Sequence, residues 1–386
     1  MKLIDDIVKT QEEFAGIRQK IHKNPELGFQ EFATAKLVAD LLREYGYQVH
    51  EKVGKTGVVA VLKKGNGLKK IGLRADMDAL PMQELAEVSY KSIIPGVMHA
   101  CGHDGHTASL LMAAKYLSKC DFNGQLNLIF QPAEEGSGGA LSMIDDGLFE
   151  RFDCDYIFSW HNLPCKNQDK KIFFRKGVFL ASSDRFKIKI KGCGGHASAP
   201  QNSKDPTLAA CHLILALQSI VSRNTDPQQA VVISVGSIMA GNDESYNIIP
   251  EQVEILLSVR TLNKDVRKQT LKRIIDVIEH CCNLFDLTSE VEYFDKADVT
   301  CNDKDATALA WQVAEEIFGS DSCAFEHSPG MASDDLSYML SARKGCYAYI
   351  NNGDTPYVHN GHYIFNDDLL SIAATYFSRL ALRYLQ

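Results

Sequence analysis

The chain has 386 residues, 45% of them hydrophobic, and carries 41 Lys and Arg against 49 Asp and Glu, a net charge of −8. That length exceeds what one core organises and predicts two domains, the composition excludes disorder and fibrous folds, and a mildly acidic chain without a basic cluster argues against nucleic-acid binding. The N-terminal MKLIDDIVKTQEEF lacks the apolar stretch of a secretory signal, no apolar run nears the ~18 residues of a membrane span, and eleven irregularly spaced cysteines read as reduced thiols in a cytoplasm.

Ile7, Phe14, Ile17 and Ile21 recur at a helical period and predict a helix over 5–22, ended at Asn24-Pro25-Glu26. A second amphipathic helix is predicted over 33–45, closed by Gly46. Strand-like runs follow at 57–63, 70–76, 124–131 and 155–160, with helical stretches at 106–119 and 138–146. Alternating strands and helices predict an α/β layer around a central mixed sheet, with its chemistry at strand ends. Near residue 182 the pattern changes. Residues 184–191 alternate strictly, 206–222 are helical with Pro206 at the start, 230–239 and 251–260 are strands, 264–282 a helix and 287–294 a strand. That order is βαββαβ. Helical periods return at 304–318 and 366–384, with a strand at 347–350. The predicted architecture is a larger α/β catalytic domain with a central mixed sheet, formed by 1–181 and 296–386, into which a smaller α+β domain, 182–295, is inserted.

Residues 98–106 read Met-His-Ala-Cys-Gly-His-Asp-Gly-His. Cys and His at this density point to a metal or a nucleophile. Gly102 and Gly105 would let the backbone turn so that neighbouring side chains converge. Three further sites fall at predicted strand ends or near the C-terminus: Glu134-Glu135 after Gln131-Pro132-Ala133, His161 after Trp160, and His359 in Val358-His359-Asn360-Gly361. With Cys101 and His103 they supply one thiolate, three imidazoles and two carboxylates. That set suits two borderline divalent cations with positions left for water. Taken singly, His161 reads as a hydrogen-bonded structural residue, the acidic pair as a solvated turn, and His359 as one histidine among 12. Consecutive side chains diverge, so Glu135 is assigned to metal and Glu134 to acid–base work, an order that residue types alone do not fix. In a rival chemistry Cys101 is a nucleophile, activated by His103 or His106 and oriented by Asp104. That reading leaves Glu134, Glu135, His161 and His359 without a role. Gly54-Lys55-Thr56 fails as a phosphate loop because Val49 stands where glycine is needed, and 136–139 lack the spacing of a nucleophile elbow.

Further motifs run almost end to end: 18–28 (RQKIHKNPELG), 72–81 (GLRADMDALP), 192–200 (GCGGHASAP), 247–250 (NIIP), 331–335 (MASDD) and 359–367 (HNGHYIFND). With those above, they resemble the M20 metallopeptidase family in its amidohydrolase branch of aminoacylases, hippurate hydrolases and auxin-conjugate hydrolases, the hippurate hydrolases most closely. The resemblance implies two divalent metal ions per subunit (zinc, manganese, nickel or cobalt), bound by Cys101, His103, Glu135, His161 and His359. It implies Glu134 as general base and Asp78 behind a ligand, orienting it. Cys101 would bridge the ions, because a thiolate has several lone pairs. Asp76 stands where related branches have a ligand histidine and is not counted as metal-binding. The inserted domain would be a lid and a homodimer interface, with His196 reaching the partner's active site to stabilise the oxyanion. Asn247 and Arg260 would hold the substrate carboxylate. The implied substrate is a small-molecule N-acyl amino acid, hippurate cleaved to benzoate and glycine, with a dipeptidase or carboxypeptidase as the alternative. Three positions depart from the family pattern. Gly361 replaces a proline and is expected to loosen the backbone beside His359, Asp334 replaces Glu, and Gln201 replaces His. His362 lies nearby, but His359 is preferred as the ligand.

Overall fold

In the computed structural model, which describes residues 1–166, 169–242 and 244–386, the chain divides into two units. One comprises Met1–Phe179, Cys301–Ser328 and Asp335–Gln386; the other comprises Leu180–Thr300 and Pro329–Asp334. The sequence order placed 329–334 in the segment 296–386. It joins the second unit because the Ala181 N–H donates to the carbonyls of Gly330 and Ala332, both at 3.0 Å, and Arg260 donates to the Ser333 hydroxyl at 2.6 Å.

The first unit is built on a mixed sheet, as expected. Its strands lie in the order Gln48–Val53, Gly57–Lys64, Gly124–Gln131, Lys70–Asp76, Tyr156–Pro164, Gly345–Gly353, Ile172–Phe173 and Cys323–Ala324. The apolar runs read from the sequence form its centre: Val58, Ile71, Leu73, Leu126, Leu128 and Phe158 are fully buried. Parallel pairing joins Lys70–Asp76, Tyr156–Pro164 and Gly345–Gly353. That pairing carries the Tyr156 strand past residue 160, so His161 sits within a strand opposite Tyr349 and not at a strand end. The His103–Leu117 helix is buried on nearly every face, which explains its weak amphipathic signal. The predicted 5–22 helix is two, Asp5–Val8 and Gln11–Lys23. Thr10 breaks it by turning its hydroxyl onto the Ile7 carbonyl at 2.8 Å.

The second unit has an antiparallel sheet ordered Val231–Ala240, Gln252–Thr261, Ser183–Lys191 and Thr288–Ala297. Alternate residues Phe186, Ile188 and Ile190 on one strand, and Val253, Ile255, Leu257 and Val259 on the next, bury one face. The Pro206–Ser219 and Lys264–Leu284 helices pack there. This is the βαββαβ pattern that the alternation predicts. None of the described helices is long and apolar enough to cross a membrane, and the described cysteines form no disulfide.

Candidate metal centre

Gly102 sits at φ 92 immediately before the His103–Leu117 helix. A Cβ there would collide with the Asn162 side chain, so only glycine allows this turn. The turn puts Cys101 before the helix and His103 in its first residue. The His103 Nδ1–H donates to the Asp78 carbonyl at 2.9 Å. The His161 Nδ1–H donates to the Asn162 carbonyl at 2.7 Å. A carbonyl only accepts, so in both rings Nδ1 carries a proton, and in the neutral ring Nε2 presents a lone pair. The His161 Nε2 lies 3.3 Å from Cys101 Sγ. The His103 Nε2 is buried without a hydrogen-bond partner among the described residues.

The acidic pair follows Ala133, which is held at φ 52 with its N–H on the buried Glu31 carboxylate at 2.8 Å. The Glu135 N–H donates to Asp78 Oδ2 at 3.0 Å, so one aspartate fixes both His103 and Glu135. The two glutamates do not diverge as the sequence reading expected. An oxygen of each lies within 4.8 Å of the other and of a His103 nitrogen, because residues 134–137 form a turn and not an extended strand. Glu135 Oε1 is 3.2 Å from His359 Nε2 and 3.9 Å from His103 Nε2, yet has no hydrogen-bond partner among the described residues.

His359 itself has φ 63, uncommon for a residue with a side chain. Its N–H is fixed on the Ala100 carbonyl at 2.9 Å. Gly361 does not loosen this loop. Its carbonyl accepts from the N–H groups of Leu85 and Ala86 at 2.7 and 3.0 Å, and an added Cβ would meet the Gln83 carbonyl at 2.9 Å.

The donors fall into two overlapping triples, Cys101 with His103 and His161, and Cys101 with Glu135 and His359. The shared member is the thiol. Two buried atoms, His103 Nε2 and Glu135 Oε1, lack hydrogen-bond partners among the described residues, and a cation would satisfy both. Thiolate, imidazole and carboxylate together fit a borderline divalent ion. Burial, then Glu135 and Glu134, hold the Cys101 thiol well above its ordinary range, the opposite of what a nucleophilic cysteine needs. Asp104 does not orient a base for Cys101, because its carboxylate bonds Arg18 at 3.0 Å and His22 at 2.9 Å. His106 is engaged by Asp76 at 2.6 Å and by the Asn162 amide at 3.1 Å. Asp76 also meets Arg74 at 2.7 Å.

The Arg18–Asp104–His22 network was missed in the sequence. Arg18 is fully buried and also bonds Asp367 at 3.3 Å, and His22 reaches Glu84 at 3.2 Å. Burial opposes charge on His22, but Asp104 and Glu84 outweigh it and lift its pKa to about 9. The signal was present: Arg18 and His22 share the helical face of Phe14 and Ile21, and polar residues at core positions mark a buried network.

In the second unit, His196 pairs with Ile248 in a short two-stranded ladder. Its Nδ1 accepts from the Ser198 N–H at 3.1 Å, so in the neutral ring Nε2 carries the proton. His196 and Asn247 line one surface depression of about 530 Å³. Arg260 is half-buried and, beyond the Ser333 hydroxyl, makes no ion pair among the described residues.

The family model "Peptidase family M20/M25/M40" matches residues 72–383. A hippurate hydrolase of Campylobacter jejuni is 53% identical over 386 residues, covering 100% of both chains. A dinuclear metal-binding M20-family peptidase from Bacillus subtilis superposes with a TM-score of 0.81 at 30% identity, over 98% of this chain and 99% of that one. A structure from methicillin-resistant Staphylococcus aureus superposes with a TM-score of 0.90 at 30% identity, covering 100% and 99%.

Proposed function

The chain belongs to peptidase family M20/M25/M40, and from that premise we propose that it hydrolyses N-acyl amino acids, converting hippurate to benzoate and glycine. It is a metal-dependent amidohydrolase. The observation that carries the reading is Cys101 Sγ, common to two donor triples, in a chain alike over its whole length to a hippurate hydrolase.

Cys101, His103 and His161 would hold one divalent ion, and Cys101, Glu135 and His359 the other, drawn from zinc, manganese, nickel or cobalt. Bound there, the ions supply Lewis acidity, polarising the amide carbonyl and acidifying water. Asp78 orients the set through His103 and Glu135. Glu134 takes a proton from the attacking water, whose oxygen bonds to the amide carbon. As the C–N bond breaks, Glu134 returns that proton to the departing nitrogen, giving the carboxylic acid and the amine, and the carboxyl proton then passes to the amine to leave carboxylate and ammonium. His196 donates Nε2–H to the oxyanion in the partner subunit's site of a homodimer, its tautomer set by the Ser198 N–H. Asn247 and Arg260 receive the substrate carboxylate, for which a half-buried guanidinium without an acid partner is suited.

Release of glycine from hippurate by purified protein, lost on chelation and regained on adding one of the four metals, tests this reading. Full cleavage by demetallated protein would remove it.

A further inference from the structure

On the sheet of the first unit, His161, Tyr349 and Phe173 occupy one register row across three adjacent strands. His161 faces Cys101 at 3.3 Å. Its ring also meets Tyr349 edge-on, centroids 6.2 Å apart. Tyr349 packs on Phe179 at 4.8 Å, and His327 stands over both Tyr349 and Phe173, at 6.1 and 5.2 Å. Ring contacts thus run without interruption from His161 to His327. Tyr349, Phe173 and Phe179 are buried. His327 is half-buried, and of these four rings it alone keeps substantial open surface for a ligand.

The backbone fixes His327 there. Its N–H donates to the Phe174 carbonyl at 3.0 Å, and its carbonyl accepts from Arg175 at 3.3 Å. Burial and then Arg175 lower its pKa, so it presents a neutral ring near neutral pH. None of the roles given above uses this residue. We propose that His327 is a specificity residue, the accessible end of an aromatic wall that selects substrates with a flat aromatic acyl group. The inference rests on the amidohydrolase reading and deepens it. An aryl ring next to the scissile carbonyl would meet His327 edge-to-face, a contact that an acetyl group cannot make.

The test compares kcat/KM for benzoylglycine and acetylglycine in wild type, His327→Ala and His327→Phe, with circular dichroism and metal content checked for each. The expected result is a fall of about threefold to tenfold in the benzoyl-to-acetyl ratio for His327→Ala, with the ratio kept in His327→Phe. A ratio unchanged in folded His327→Ala, or an equal fall for both substrates in both variants, would overturn the proposal. Wild-type protein that cleaves neither substrate would instead sink the underlying reading, and the inference with it.

Discussion

Glu135 Oε1 lies 3.2 Å from His359 Nε2, although one residue follows a central strand and the other lies in the loop before the C-terminal helix. Both sit on strained or tightly held backbone. Ala133, two residues before Glu135, and His359 have φ of 52 and 63. Such conformations cost of order 1–3 kcal/mol each and persist where the surrounding contacts impose them. Here those contacts are the Glu31 carboxylate, the Asp78 carboxylate and the Ala100 carbonyl.

Glu134→Gln is predicted to lower kcat by about 10²–10⁴ while both metals stay bound. Steady-state hydrolysis and elemental analysis of the same sample check it. Loss of metal along with activity would move Glu134 into the ligand set.

Asp78→Ala removes a carboxylate that fixes His103 and Glu135 together. Metal affinity should fall about 10–100-fold, read by competition with a chromophoric chelator. Unchanged affinity would leave Asp78 without the orienting role.

His22 gives a pH prediction. Its folded pKa is about 9, above the ordinary 6.5, so its charged form binds more tightly in the folded state. The contribution is fully present below about pH 6.5 and is lost as pH rises through 9. In chelator-treated protein, the stability gap between wild type and His22→Gln should be widest near pH 6 and shrink towards pH 10, by urea titration. A gap independent of pH would contradict it.

On the proposed shared site of a homodimer, His196→Ala should cut kcat by about 10²–10³ while the oligomeric state stays that of the wild type. Heterodimers of His196→Ala and Glu134→Ala chains should regain activity, because one of the two shared sites is then intact. Purified heterodimers with no activity would place His196 outside its partner's site.

Long elements were legible because their burial is one-sided or complete: the alternation of 184–191 and the apolar run of 70–76 match the strands Ser183–Lys191 and Lys70–Asp76, and 304–318 matches the helix Lys304–Phe318. Elements whose residues look polar or whose length is two residues were not. Gln48–Val53 is an edge strand reading QVHEKV, stabilised by its partner and not by its own pattern. Ile172–Phe173 and Cys323–Ala324 exist only through pairing. At the site, residue types pointed to the thiol, imidazoles and carboxylates that the structure brings together, because those groups announce their chemistry. What they could not reveal was backbone: the left-handed turns at Ala133 and His359, the convergence of Glu134 with Glu135, and the carbonyl of Asp78 that sets the His103 tautomer. Side-chain type carries no signal for a hydrogen bond made by a main-chain oxygen.

The most direct test of the shared centre is anomalous diffraction from crystals loaded with manganese or zinc, with data either side of the absorption edge. Two peaks flanking Cys101 Sγ are predicted, one among His103 and His161, the other between Glu135 and His359. A single ion, or ions bound away from Cys101, would contradict the account.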